Sequence, residues 1–512
     1  MTTHAIPDEA SFDGEWWLPS VSDAKHKIAG TLAWSKNKAT LALHDSFAPL
    51  RSGPLVQSSQ THPVIHGLTT NGSAVSVLEA LSTGGTMAFG GAAFRRSESF
   101  VSSLVIVGAH VDSQTRFLRL RARIPGLPTW LGESGVQQII TSPTPEHSDT
   151  VIDYRIGRNP VQGVEVPNIH ATLGWGVGWA TSGSVLTTVT IASFGYLEIT
   201  PDQPQALDWY FEQLGKATTL LAFLAGAPMK ADEVSVKVAE AQPEISVLVG
   251  WNNPGYCPYS NPHQFFVPRW AMDVPLDAVF RKWFDQYASV AMPSQLALSV
   301  LSSDGPWIHV QFLLLMQALE GFHRAVADGT YMRPADYETV RHALTTAIPA
   351  AVESSHRDAL KSRIKYGNEL SLRKRLDDLA GRLDASLRTR IFGGNGAVPQ
   401  KWIATRNYYT HWDEASRDDA LDIPDMYYAS VRLRHFLRVL YLDFVGIPQP
   451  AIVKALDGYN SESQHLIQLN HPAATFGYVN VRPADNAKSE SEKSKDEGPL
   501  PQTWHVQCKG SE

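Results

Sequence analysis

Cysteine is nearly missing from this chain: the 512 residues include two, Cys257 and Cys508, far apart and the second in a polar tail. That scarcity rules out a disulfide framework and a cysteine-based metal site, and it fits a reducing cytoplasm. Long apolar runs are missing as well. The longest candidate span, Phe312 to Leu319, falls far short of the ~20 residues a membrane helix needs. The opening Met-Thr-Thr-His-Ala-Ile-Pro-Asp-Glu-Ala lacks the basic start and apolar run of a signal peptide, so a cytoplasmic protein is expected. There is no excess of positive charge. With 44 Lys and Arg against 51 Asp and Glu, the net charge of −7 argues against a protein that coats nucleic acid electrostatically, while leaving room for a local basic site.

Several motifs are absent too. No Gly-x4-Gly-Lys-Ser/Thr phosphate loop occurs, so no ATPase engine is expected. Gly174-Trp-Gly-Val-Gly178 lacks the spacing and the strand-to-helix setting of a dinucleotide loop and reads as a β-bend with close packing. His62 and His66 are four apart, but Pro63 breaks helical geometry and no third ligand follows, so neither a metal nor any cofactor is expected.

What is present describes a globular protein: 43% hydrophobic residues, with 14 tryptophans as large apolar anchors. The length predicts two domains plus connecting segments. From Trp16 to about Val238 the pattern is short β-like runs. Ile28–Trp34 and Ala39–His44 flank a polar turn from Ser35 to Lys38, a hairpin signature. A second hairpin is expected where Ser103–Val111 meets Phe117–Ile124. The return strand of that pair alternates apolar and basic side chains, predicting one wet, positive face. The runs Ser184–Ile191 and Val234–Val238 flank an amphipathic stretch, Gln205–Leu224, expected to be a helix capped near Asp202.

Near Pro275 the period becomes helical. Helices are expected over Leu276–Val290, Trp307–Asp328, Ala335–Thr346, Ala350–Lys365, Leu370–Leu387, Lys401–His411 and Asp425–Val445. The stretch Val310–Val326 is apolar around most of its circumference, as a central core helix would be. The fold class is therefore α+β: a β-rich domain over 1–272, an all-α helical bundle over 273–460, and an extension over 461–512, disordered from about 484.

The chemistry concentrates in Lys401-Trp-Ile-Ala-Thr-Arg-Asn-Tyr-Tyr-Thr-His-Trp-Asp413, just after the Gly- and Pro-rich loop Phe392–Pro399. Asn407 and His411 share a helix face as an i,i+4 pair, whereas Arg406 lies roughly 140° from His411. A regular helix cannot aim both at one phosphate. Either the helix ends or distorts near His411, or a second copy supplies the missing half across a two-fold axis, and the second solution is favoured. The trio suits RNA cleavage without a metal: an imidazole to move protons, a guanidinium to hold a phosphate, and an amide to position it. His411 would assist attack by the RNA 2′-hydroxyl, and Arg406 would stabilise charge on the phosphoryl oxygens.

This Arg-Asn-x3-His segment resembles the Arg-polar-x3-His signature of HEPN ribonucleases. The chain as a whole, over roughly residues 12 to 455, resembles the ApeA group of bacterial abortive-infection proteins. Gly14-Glu-Trp-Trp-Leu-Pro19 with Ile28-Ala-Gly-Thr-Leu is similar to the opening of the ApeA N-terminal domain, and Gln317-Ala-Leu-Glu-Gly-Phe-His323 to the first long helix of its HEPN domain. The resemblance implies a metal-independent endoribonuclease that dimerises through its HEPN helices. It also implies abortive-infection defence against phage, through cleavage of host RNA such as tRNA on a phage-derived trigger. Catalytic roles fall on Arg406, Asn407 and His411, and the β-rich domain would sense or gate.

Around that centre, Glu320 and Arg324 form a Glu-x3-Arg pair that lines the site in some HEPN enzymes, although a structural ion pair explains the spacing equally well. Tyr408 or Tyr409 could stack on a base, against the commoner role of packing. Arg373, Arg375 and Arg432, with Arg434 and Arg438, are candidates to follow an RNA backbone, solvated helix faces being the blander reading. The competing function is a non-catalytic dimeric adaptor that uses the helices only for assembly.

Overall fold

The computed structural model describes residues 9–19, 26–35, 38–47, 61–90, 93–141, 151–157, 162–184, 187–250, 257, 259–301, 307–412, 414–458 and 460–470. The expected disorder from about 484, and Cys508, lie outside the described residues.

The first strands close on themselves. β1 (Glu9–Trp17), β2 (Ile28–Ser35), β3 (Lys38–Leu43), β4 (Thr61–Thr69), β5 (Ala74–Gly90) and β6 (Ala93–Ser102) pair antiparallel in the ring β5-β4-β1-β2-β3-β6, with β6 returning to β5. The expected hairpin of β2 and β3 forms, in the register Gly30 to Leu43 and Ser35 to Lys38. Period-two alternation selects the interior: Ala39, Leu41 and Leu43 of β3 are buried, and Lys38, Thr40 and Ala42 are exposed. β5 serves both β4 and β6 within the ring by bending. Its first half pairs with β4, its second with β6, and the register shifts between Ser82 and Gly84, where Gly84 has φ +141. Trp16, Leu32, Ile65, Val77 and Phe100 fill the barrel. The Trp16 indole donates to the Gly30 carbonyl and lies so close to Gly67 that a Cβ there would come within 2.3 Å of the ring.

β7 (Leu104–Val107) pairs with β5 and carries the sheet out of the barrel. It continues through β8 (Arg119–Arg123), β11 (Gln162–Val166), β12 (Ala171–Ser184), β13 (Thr188–Pro201), β14 (Glu233–Lys237) and β15 (Ile245–Val249), in the order β7-β15-β14-β8-β13-β12-β11. β9 (Val136–Thr141) and β10 (Val151–Ile156) form a separate two-stranded sheet. The short α1 (Leu127–Leu131) lies against β13, and α2 (Leu207–Ala225) buries Tyr210, Leu214, Ala217 and Leu221.

Four expectations change here. The second hairpin does not form, because β14 and β15 stand between β7 and β8. Alternation specifies which face of a strand is buried and leaves its partner open. Arg119, Arg121 and Arg123 do share a face, but carboxylates neutralise it: Glu244 lies 2.9 Å from Arg119, Glu198 2.6 Å from Arg121 and Asp232 2.8 Å from Arg123. The run Ser184–Ile191 straddles the turn between β12 and β13. α2 starts after Ala206 with no side-chain cap, so Asp202 does not cap it. The Gly174–Gly178 stretch is extended strand within β12, and its close packing holds, with Gly176 against the Tyr196 ring and Gly178 against Phe194.

The helical region follows as α3 (Leu276–Leu301), α4 (Ile308–Val326), α5 (Pro334–Thr346), α6 (Ser354–Lys365), α7 (Leu372–Gly381), α8 (Ala385–Phe392), α9 (Gln400–His411), α10 (Ile423–Phe444), α11 (Gln449–Leu456) and α12 (Ser461–Asn470). α3 runs past Val290 despite Pro293, since Pro293, Ala297 and Val300 are all buried and packing outweighs the lost backbone bond. The single helix expected over Leu370–Leu387 is two, broken after Gly381, with Asp384 as N-cap of the second. α4 is the central helix, burying Phe312, Leu315, Met316, Leu319 and Phe322 and packing on α3, α7, α9 and α10.

One apolar core passes from the sheet into the helices. Trp175 packs on Phe280 at 5.7 Å, Phe223 of α2 stacks on Tyr441 of α10 at 4.1 Å, and the Trp283 indole donates to the Lys216 carbonyl. Among the described residues no helix is long and apolar enough to cross a membrane.

Candidate functional site

α9 is built to present its polar residues. Trp402, Ile403 and Thr405 face inward, and Thr405 Oγ1 donates to the Lys401 carbonyl while accepting from the Leu421 N–H, which ties down the segment that follows. The helix stays regular through His411. It ends at Trp412, a non-glycine residue in the left-handed region (φ 51) whose N–H bonds the Tyr408 carbonyl.

Arg406 turns toward α4. Its Nη2 lies 3.6 Å from Glu320 Oε2, and its Nη1 donates to Asn407 Oδ1 at 3.3 Å. The other Glu320 oxygen is 3.2 Å from Arg324, so the expected Glu320–Arg324 pair exists and one of its members touches Arg406. Arg324 reaches Glu369 at 2.8 Å, and Glu369 reaches Arg375 at 3.4 Å. Cation and carboxylate thus alternate from Arg406 inward to Arg375.

Arg375 is 1% exposed. Its guanidinium donates to the carbonyls of Leu370 and Gly329 and lies 3.1 Å from His323 Nδ1. A guanidinium only donates, so His323 Nδ1 must accept, which leaves the imidazole proton on Nε2, 3.0 Å from Asp378 Oδ2. Burial pushes the His323 pKa below its ordinary value, with the Asp378 hydrogen bond opposing. Arg375 is lowered by the same burial.

His411 stands apart. It is exposed and has no partner among the described residues, whereas Arg406 is half-buried against α4. Five helical steps separate the two directions by about 140°. One chain does not bring Arg406 and His411 together. Asn407 stays beside Arg406 through their shared hydrogen bond.

Aromatic rings flank the motif. Tyr409 stacks on His309 of α4 at 5.8 Å with planes 10° apart, and Tyr408 meets Tyr409 and Trp412 edge-on. Both tyrosines are half-buried, while Trp412 and Trp307 are largely exposed.

The basic residues expected to follow RNA mostly hold the fold. Arg375 is the buried tie just described. Arg432 donates to the Ile391 carbonyl and caps the end of α8, Arg434 bonds Gln311, and Arg438 is buried over the Phe266 ring at 5.1 Å. Burial takes Arg375 and Arg438 away from any phosphate, whereas Arg432 and Arg434 are half-buried and engaged with neighbouring groups of the fold. Arg373 remains half-exposed, paired with Asp377 and bonded to Gln400 at the start of α9. Glu369, Asp378 and His309 escaped the sequence reading. Each meets the site from a different helix or loop, and no spacing rule connects them to Arg406.

Among the described residues no group of three or more His, Cys, Asp or Glu could hold a metal ion. His66 instead stacks on His110 at 4.8 Å and bonds the Val111 carbonyl.

Nothing matches this chain among curated proteins or among solved structures. Two family models do. One described as ApeA N-terminal domain 1 matches residues 11–283, spanning the barrel, the sheet and the start of α3. One described as Apea-like HEPN matches residues 313–450, which contain the whole of α9. With the first model alone covering more than half of the 512 residues and the second taking in the Arg-Asn-x3-His segment, the chain belongs to the ApeA-like family of HEPN proteins.

Proposed function

We propose that this protein is a metal-independent HEPN endoribonuclease of abortive-infection defence, active as a homodimer, that cuts host RNA of the tRNA class when a phage component triggers it. The carrying observation is the split within α9: Arg406 held by Glu320 on one side, His411 free and exposed on another. A two-fold pairing of α9 segments supplies the missing half of each site. There His411 takes the proton of a ribose 2′-hydroxyl as that oxygen attacks the adjacent phosphorus. Arg406 neutralises charge on the phosphoryl oxygens, and the 5′-oxygen leaves with a proton, giving a 2′,3′-cyclic phosphate and a 5′-hydroxyl end. Asn407 keeps Arg406 oriented. The β-rich region senses or gates.

The test is to express wild type and His411→Ala from a tight promoter, infect with a phage panel, and sequence 5′-hydroxyl RNA ends. Specific cuts with wild type alone support the reading. Protection by both proteins without cuts replaces it with the adaptor.

A further inference from the structure

α5 and α6 form a helical hairpin that stands out from the body. They pack chiefly on each other, and Tyr337 is their only buried residue, its hydroxyl bonded to the Ile364 carbonyl. Residues 334–365 contribute nothing to the main apolar core. A pair of helices that buries so little against its own chain needs another reason to be there.

Charge distinguishes the two helices. The ions of α5 are largely self-paired: Asp336 is 2.7 Å from Arg333, and Glu338 binds Arg341. α6 carries Arg357, Lys361, Arg363 and Lys365 against the single acid Asp358. Arg357 caps the turn through the Ala350 and Val352 carbonyls, and Lys361 lies 3.6 Å from Asp358. Arg363 and Lys365 have no carboxylate partner among the described residues, and exposed Tyr366 lies beneath the Lys365 ammonium. From Ser354 to Lys374 there are six Lys and Arg against two acids, in a chain whose net charge is −7. This basic strip leads to the site. Arg373 bonds Gln400, the first residue of α9, and Glu369 at the hairpin's base joins the ion chain that ends on Arg406.

We propose that the α5–α6 hairpin is a substrate arm, with Lys361, Arg363 and Lys365 tracking the phosphate backbone of the RNA whose cleaved bond lies at Arg406. The inference rests on the ribonuclease reading and extends it from the cleaved phosphate to a remote stretch of backbone. A polyanion is the occupant that Arg363 and Lys365, without carboxylate partners among the described residues, and the exposed tyrosine fit.

The experiment uses the full chain carrying His411→Ala, with labelled total RNA from the host cells as probe and a salt series. The triple substitution Lys361→Gln, Arg363→Gln, Lys365→Gln should weaken binding by about tenfold or more near 0.1 M salt, and reduce the slope of log affinity against log salt by about 2–3. Its unfolding midpoint should not move, since all three residues are exposed. In otherwise wild-type protein the triple variant should raise the RNA concentration needed for cleavage and leave the saturated rate unchanged, while Glu338→Gln with Arg341→Gln on α5 changes neither. Unchanged affinity and slope in a parent that binds RNA overturn the arm and leave the ribonuclease intact. Normal cleavage in vitro with loss of phage protection also overturns it, assigning the hairpin to a protein partner. Absence of both RNA binding and 5′-hydroxyl cuts in the parent removes the ribonuclease reading, and the arm with it.

Discussion

Glu320 holds Arg406: its carboxylate lies 3.6 Å from the Arg406 guanidinium and shares its other oxygen with Arg324. The conservative change Glu320→Gln keeps the shape and removes the charge that orients Arg406. On the proposed mechanism it should lower the saturated cleavage rate about tenfold, roughly 1.4 kcal/mol of barrier, with little change in RNA affinity. A measured fall in affinity with an unchanged rate would assign Glu320 to binding instead.

Buried His323 and half-buried His66 set an acid limit on stability. Burial pushes both His323 and His66 below the ordinary value of 6.5. Below 6.5 the unfolded chain takes up protons that the folded chain refuses. Their contribution is therefore complete above 6.5 and is lost as pH falls from there to the folded values. Denaturant midpoints measured from about pH 8 down to pH 5 should decline below 6.5. His323→Gln with His66→Gln should flatten that decline, and an equally steep decline in the double variant would place its origin elsewhere.

The barrel rests on Trp16, which is fully buried and lies flat against Gly67. Trp16→Ala should cost about 3–5 kcal/mol, and Gly67→Ala about 1–3 kcal/mol through the clash with the indole. Chemical denaturation with near-ultraviolet circular dichroism reads both. A Gly67→Ala protein as stable as wild type would mean the strand moves away without penalty.

A chain starting at residue 273 should fail to fold cooperatively. Phe280 and Trp283 pack on Trp175 and α2, and Tyr441 stacks on Phe223. Exposing each such side chain costs about 1.5–3 kcal/mol. Solubility and thermal unfolding of the fragment decide the matter. A soluble, cooperatively folding fragment would contradict the shared core, whereas an unfolded one removes simple truncation as a probe of gating by the N-terminal region.

Much of this was legible in the sequence because periodicity reports burial. The β2–β3 hairpin, the central helix α4 and the bounds of α9 follow from alternation and helical spacing. Partnership was not legible. β14 and β15 come between β7 and β8 although they follow them in the chain by more than a hundred residues, and nothing local encodes that insertion. The fate of arginines was hidden for the same reason. Arg373 and Arg375 are near neighbours, yet one is half-exposed and the other is wrapped by His323, Gly329, Glu369 and Leu370. Within the motif, helical arithmetic separated Arg406 from His411, and the structure adds what holds Arg406 in place.

The pairing of Arg406 from one subunit with His411 from its partner is the central claim, and subunit complementation tests it most directly. Arg406→Ala and His411→Ala proteins, each inactive alone, are mixed, exchanged and assayed for 5′-hydroxyl RNA ends. If the two residues act across the dimer, mixed dimers contain one intact pair, and activity should return to about a quarter of wild type. A mixture that exchanges subunits and stays inactive would contradict the account.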